Sequence, residues 1–152
     1  AYTAWTGTVD VEVSEALTFT TVDGQVMSTE STVVWSGTTL TVNLMPGECV
    51  YAGVDVVNNS SVDLSVTAEM VKTAGTTTFQ EGTTADFTAA LAGDPAPAYS
   101  WIYLSRGPGA QGNPITFNAP AGGLPLSGPA IAIQAGADIV PGNYTFRLTI
   151  KR

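Results

Sequence analysis

The sequence predicts an all-β sandwich. Three observations carry that expectation. Apolar and polar residues alternate with period 2 along most of the chain. Gly, Pro, Asn and Asp pairs cut the chain into short pieces. No segment shows the 3.6-residue apolar period of a long amphipathic helix. About nine or ten short strands follow, and two packed sheets are the way to bury their apolar faces. At 152 residues the chain makes one ordinary domain. It contains no fixed-period repeat and no Ser/Gly linker.

The elements are justified in chain order. Across residues 3–13, Trp5, Gly7, Val9, Val11 and Val13 take one strand face, and Thr6, Thr8, Asp10 and Glu12 take the other. Residues 17–22 form a Thr-rich strand that turns at Asp23-Gly24. Residues 32–35 and 39–44 are strands separated by Ser36-Gly37, and Pro46-Gly47 is a turn. Val50, Ala52, Val54 and Val56 share the face of a strand that ends at Asn58-Asn59-Ser60-Ser61. Residues 62–71 follow, with Val62, Leu64, Val66, Ala68 and Met70 in phase. Residues 86–91 hold one short helical turn inside a Thr-, Gly- and Ala-rich stretch. Residues 98–105 are aromatic and strand-forming. Residues 106–129 read as a long Gly/Pro loop with a strand piece at 115–117. Strands at 130–134 and 144–150 complete the domain, the last with Tyr144, Phe146, Leu148 and Ile150 on one face. Proline falls at turns and not inside the strong strands.

Composition narrows the function. Thirteen acidic against five basic residues give a net charge of −8, which disfavours nucleic acid. With no His and one Cys, the parts for Ser-His-Asp triads, Cys-His dyads and most zinc sites are missing. No catalytic residue, cofactor or metal is expected. Asp10, Glu12 and Glu15 read as a solvated face and not as a glycosidase pair. Asp55 and Asp63 flank the Asn58-Asn59 turn and offer oxygen ligands to calcium, but no EF-hand-like spacing accompanies them. Lys72 lies on the inward phase of its strand, where a snorkelling side chain and an isopeptide nucleophile are the two readings. Cys49 lies on the phase opposite Val50 and Val54 and reads as a small buried hydrophobe.

The chain begins Ala1-Tyr2-Thr3, with the small residue that follows leader cleavage. With few lysines and abundant Thr and Ser, this predicts a secreted, cell-surface protein whose signal peptide is removed and whose mature chain has no membrane span. Asn58, Asn59 and Asn143 each open an Asn-x-Ser/Thr sequon in or beside a turn and are candidate N-glycan sites.

The first strand is the functional clue. A terminal strand rich in aromatic and β-branched residues must pair with something. It either closes its own sandwich or inserts into a neighbour as a donated strand. In donation, Tyr2, Trp5, Val9 and Val11 are the anchoring side chains, and Gly7 permits close backbone approach. Head-to-tail donation propagates as an open filament.

The motifs Asn43-Leu44-Met45-Pro46-Gly47-Glu48 and Val54-Asp55-Val56-Val57-Asn58-Asn59-Ser60-Ser61-Val62-Asp63-Leu64 follow that strand. This arrangement, over roughly residues 1–70, resembles the TasA-type biofilm fibre proteins and the related archaeal bundling pilins. The low lysine content resembles the archaeal members more. The resemblance implies a jelly-roll/Ig-like antiparallel β-sandwich. Residues 1–13 are its donor strand and residues 14–152 its sandwich domain. It also implies a homopolymer of identical subunits and bundling with neighbouring filaments. The expected function is therefore a structural subunit of an extracellular pilus or biofilm fibre, assembled by donor-strand complementation and mediating cell–cell bundling or adhesion. Two other readings stand beside it. One is a carbohydrate-binding or adhesion module using Tyr99, Trp101 and Tyr103. The other is a virion or S-layer coat subunit.

Overall fold

The computed structural model describes residues 5–13, 17–26, 32–36, 39–106, 111–122 and 126–152. Twelve strands and one helix follow in order: β1 (Trp5–Val13), β2 (Leu17–Val26), β3 (Thr32–Ser36), β4 (Thr39–Leu44), β5 (Cys49–Asn58), β6 (Leu64–Ala74), β7 (Phe79–Glu81), α1 (Thr84–Leu91), β8 (Ser100–Ser105), β9 (Gln111–Gly112), β10 (Ile115–Ala119), β11 (Leu126–Gln134) and β12 (Asn143–Lys151). The expected all-β sandwich is present. The first sheet runs β10-β6-β12-β1-β4-β3, and the second runs β2-β5-β11-β8-β7 with β9 also paired to β8.

The sheets are mixed, not purely antiparallel. β1 runs parallel to β12, and β7 runs parallel to β8. A parallel pair needs a long connection. For β1 and β12 that connection is most of the sequence, since they are the first and last of the described strands.

Alternation places the core. Val9, Val42, Val54, Val66, Phe146 and Leu148 are fully buried between the sheets. Their neighbours in sequence face outward, as period 2 requires. Tyr144 locks one end of the sandwich. Its hydroxyl donates to Val140 O at 2.5 Å, four residues upstream, and lies 2.8 Å from Thr77 Oγ1. Gly75, at φ +123°, passes so close to the Tyr144 ring that a Cβ there would overlap it.

Four segments differ from the sequence reading. Asp23-Gly24 does not end β2; the strand continues to Val26 with a register shift between Val22 and Gln25. This is a bulge, in which Gly is as useful as in a turn. The helix is longer than one turn. Thr83 caps it, with Asp86 N donating to Thr83 Oγ1 (3.1 Å) and Thr83 N donating to Asp86 Oδ2 (3.0 Å). β11 starts at Leu126, ahead of Gly128-Pro129, and absorbs them with a register shift between Ser127 and Gly128. The 106–129 stretch also yields β9 and β10, which cross from the second sheet to the first. In the three strand cases long-range pairing overrides a local Gly or Pro signal.

α1 covers the outer face of the second sheet. A second, smaller core forms there from Cys49, Ala90, Trp101, Tyr103 and Ala132, with Tyr51 and Phe87 against it. Phe87 stacks on Tyr103 at 5.2 Å and meets Tyr51 edge-on at 6.4 Å.

Candidate functional site

The candidate site is the slot that holds β1. β1 lies at the interior of the first sheet, flanked by β12 on one side and β4 on the other. Gly7 lies opposite Tyr144 and Val42, Val9 opposite Phe146 and Leu40, and Val11 opposite Leu148. All of these are buried. Burying Val9 and Val11 is worth about 1.5–3 kcal/mol each. Trp5 pairs through its backbone with Leu44 on β4. Tyr2 lies outside the described residues.

The outer face of the slot is polar. Thr8 sits between Thr145 and Thr41 in the register. Thr39 Oγ1 donates to Asp10 Oδ1 at 2.9 Å. Arg147 Nε lies 3.6 Å from Glu12 Oε1, with both side chains more than half exposed. Such a pair contributes about 0–1 kcal/mol, so the inner valines and the two ladders hold the strand. Register is set by burial, because a one-residue slip would turn Val9 and Val11 to solvent.

The three sequons separate clearly. Asn58 is buried and its amide is fully used. Nδ2 donates to Val62 O (2.9 Å) and Ala119 O (2.8 Å), while Oδ1 accepts from Ser60 N (2.9 Å) and Ser60 Oγ (2.7 Å). Both hydrogens of the nitrogen are committed, so the folded chain has no place for a glycan there. The phase of β5 carried this signal, since Asn58 continues the inward series from Val50 to Val56. Asn59 and Asn143 are exposed.

The aromatic triplet does not form a sugar-stacking platform. Trp101 and Tyr103 are buried under α1, and Trp101 Nε1 donates to Gln134 Oε1 at 2.7 Å. Tyr99 is 41% exposed, and its hydroxyl donates to Asp86 Oδ1 at 2.5 Å. Burial raises the Asp86 pKa, but the hydrogen bonds from Tyr99 and from the Thr83 backbone and side chain outweigh it and hold the carboxyl below its usual value. The same bond raises the Tyr99 phenol.

Cys49, Lys72 and Asp63 are accounted for by their surroundings. Burial pushes the Cys49 thiol up to about 12, the reverse of an activated nucleophile. Lys72 Nζ donates to Gly75 O (2.8 Å) and Thr77 O (2.7 Å), which ties down the strand end. Asp63 Oδ1 accepts from Ala121 N at 2.9 Å. No group of three His, Cys, Asp or Glu side chains comes together among the described residues. A depression of about 350 Å³ at the start of α1 is lined by Glu81, Thr83, Thr84, Tyr103 and Gln111. Its polar groups satisfy one another: Thr84 Oγ1 donates to Gln111 Oε1 and lies 3.1 Å from Tyr103 Oη.

No helix among the described residues is long and apolar enough to cross a membrane. Comparison of the chain with family models, with curated proteins and with solved structures finds no match.

Proposed function

We propose that this chain is a structural subunit of an extracellular filament that polymerises by exchange of its N-terminal strand. The observation that carries this reading is the place of β1. It is the first of the described strands, and it fills an interior slot with ladders on both sides. A strand that withdraws from such a slot breaks only its two ladders. The vacated slot then presents two unpaired edges, β12 and β4, and a row of apolar positions. The β1 of a second copy matches all of it.

Exchange between copies of the same slot creates no new contacts in principle, so it trades a closed monomer for an open chain at low cost. The chain between Val13 and Leu17 sets the geometry. Three intervening residues reach at most roughly 13–15 Å when extended. A donor must therefore stand close to its acceptor, and the subunits make further surface contact. Bundling of such filaments at cell surfaces, with glycans at Asn59 or Asn143, completes the reading.

A cysteine pair across the slot tests it. Thr8 and Thr41 are Cα partners on antiparallel strands, a spacing a disulfide spans. In a Cys49→Ala background, Thr8→Cys with Thr41→Cys is assembled and oxidised. Strand exchange gives a covalent ladder on a non-reducing gel and regular fibres by negative-stain electron microscopy. Disulfides that are all intramolecular, at concentrations far above those of a cell surface, would sink the reading.

A further inference from the structure

Gly7 is the one glycine inside β1, and it is buried. A glycine in a strand interior weakens the strand and offers no side chain to pack, so its place needs a reason. In the register it lies between Tyr144 of β12 and Val42 of β4. Tyr144 is the largest inward side chain of β12 and is 1% exposed. On its β6 side stands another glycine, Gly75, where a Cβ would overlap the ring. The tyrosine is thus set between two positions that carry no side chain.

The rest of β1 does not fix the register in steps of two. Burial bars a one-residue slip, but a two-residue slip keeps every inward residue inward. Val9, Val11 and Val13 are identical. If Val9 moved into the place of Gly7, Phe146 and Leu148 would each still meet a valine. The outer face is equally indifferent. The same slip sets Asp10 opposite Thr41 in place of Thr39, and Glu12 directly opposite Arg147. What changes is the row at Tyr144. There an isopropyl group, or Trp5 after the opposite slip, would stand where Gly7 carries nothing, and overpacking of a filled core is destabilising.

We propose that Gly7 opposite Tyr144 is the register lock of the β1 slot, and that the slot admits a strand only with glycine at that position. The inward series of β5, β6 and β12 contain no glycine, so none of them can replace β1, whereas β1 of a second copy can. That check on the identity of a donor rests on the filament reading. The lock itself holds in a closed monomer as well.

Cysteine pairs in the Cys49→Ala background read the register, whether a disulfide closes within one chain or between two. Thr8→Cys with Thr41→Cys reports the observed register. Thr8→Cys with Asn43→Cys reports the slip by two, which carries Thr8 to the place of Thr6. In the observed register Thr8 and Asn43 are diagonal neighbours roughly 7–8 Å apart, too far for a disulfide. With Gly7 in place, the 8/41 disulfide forms and the 8/43 disulfide does not. Gly7→Val is expected to lower the 8/41 yield and the urea midpoint, and Val42→Ala, which makes room in the same row, to recover part of both. Gly7→Val with Val9→Gly moves the glycine by two positions and makes 8/43 the main product, a change in ratio of about tenfold or more. Gly7→Ala, a smaller insertion, gives the same losses to a lesser degree and covers a Gly7→Val chain that does not fold. A dominant 8/41 disulfide in the chain with the moved glycine, or an unchanged midpoint and 8/41 yield in Gly7→Ala and Gly7→Val, overturns the proposal. Links between chains, present or absent, bear on strand exchange alone.

Discussion

Asn58 shows how one side chain can set a loop. Its four hydrogen bonds tie the end of β5 to Ser60, Val62 and the end of β10. Asn58→Ala leaves the Val62 and Ala119 carbonyls without this donor, and it is expected to lower stability by about 2–3 kcal/mol, read from the urea midpoint. Asn58→Asp keeps the shape but loses both donated hydrogens and buries a charge, so it is expected to cost at least as much. Cys49 makes a second residue-scale case. Buried, with its thiol pushed up to about 12, it is expected to resist a thiol reagent at pH 8 in the native protein and to react at once in denaturant. Fast native labelling would place the thiol at the surface.

At the scale of elements, α1 is held by a capping box and by Asp86–Tyr99. Thr83→Ala is expected to cost about 1 kcal/mol, measured by thermal unfolding. The Asp86 carboxyl is held below its usual value, so its contribution is present above the unfolded pKa and is lost as pH falls through the lower folded one. Tyr99 shifts the other way. Its contribution is complete below the unfolded phenol pKa and is lost as pH rises through the raised folded one. Tyr99→Phe is expected to move the Asp86 titration upward by NMR, and an unmoved titration would show the bond to be absent in solution. This pairing was not legible in sequence. Strand phase groups Tyr99 with Trp101 and Tyr103, but Tyr99 precedes β8, and α1 decides which of the three rings reach solvent.

At the scale of the whole molecule, the net charge of −8 opposes every contact between copies. Raising ionic strength from 0.01 M to 0.15 M shortens the screening length from about 30 to about 8 Å. Assembly through β1 is therefore expected to strengthen with salt, read as a rise in sedimenting species. A pairing driven by opposite charges would weaken instead.

Much of the sandwich was legible in the residues themselves. Alternation fixes which side of β5, β6 and β12 is buried, because successive side chains on a strand point to opposite faces. Tyr144, Phe146, Leu148 and Ile150 are buried as their phase requires. The inward phase of β1 was equally plain at Val9 and Val11. Which strands adjoin β1 was not. Nothing local in residues 5–13 specifies a parallel partner more than 130 residues away, nor that Asp23-Gly24 bulges where it was expected to turn. Side-chain period is a property of one strand, whereas register and sheet order arise only when distant strands compete for the same hydrogen bonds. The sequence by itself determined the class of fold and the buried faces, and the tertiary structure decided that β1 would lie inside a sheet, between β12 and β4.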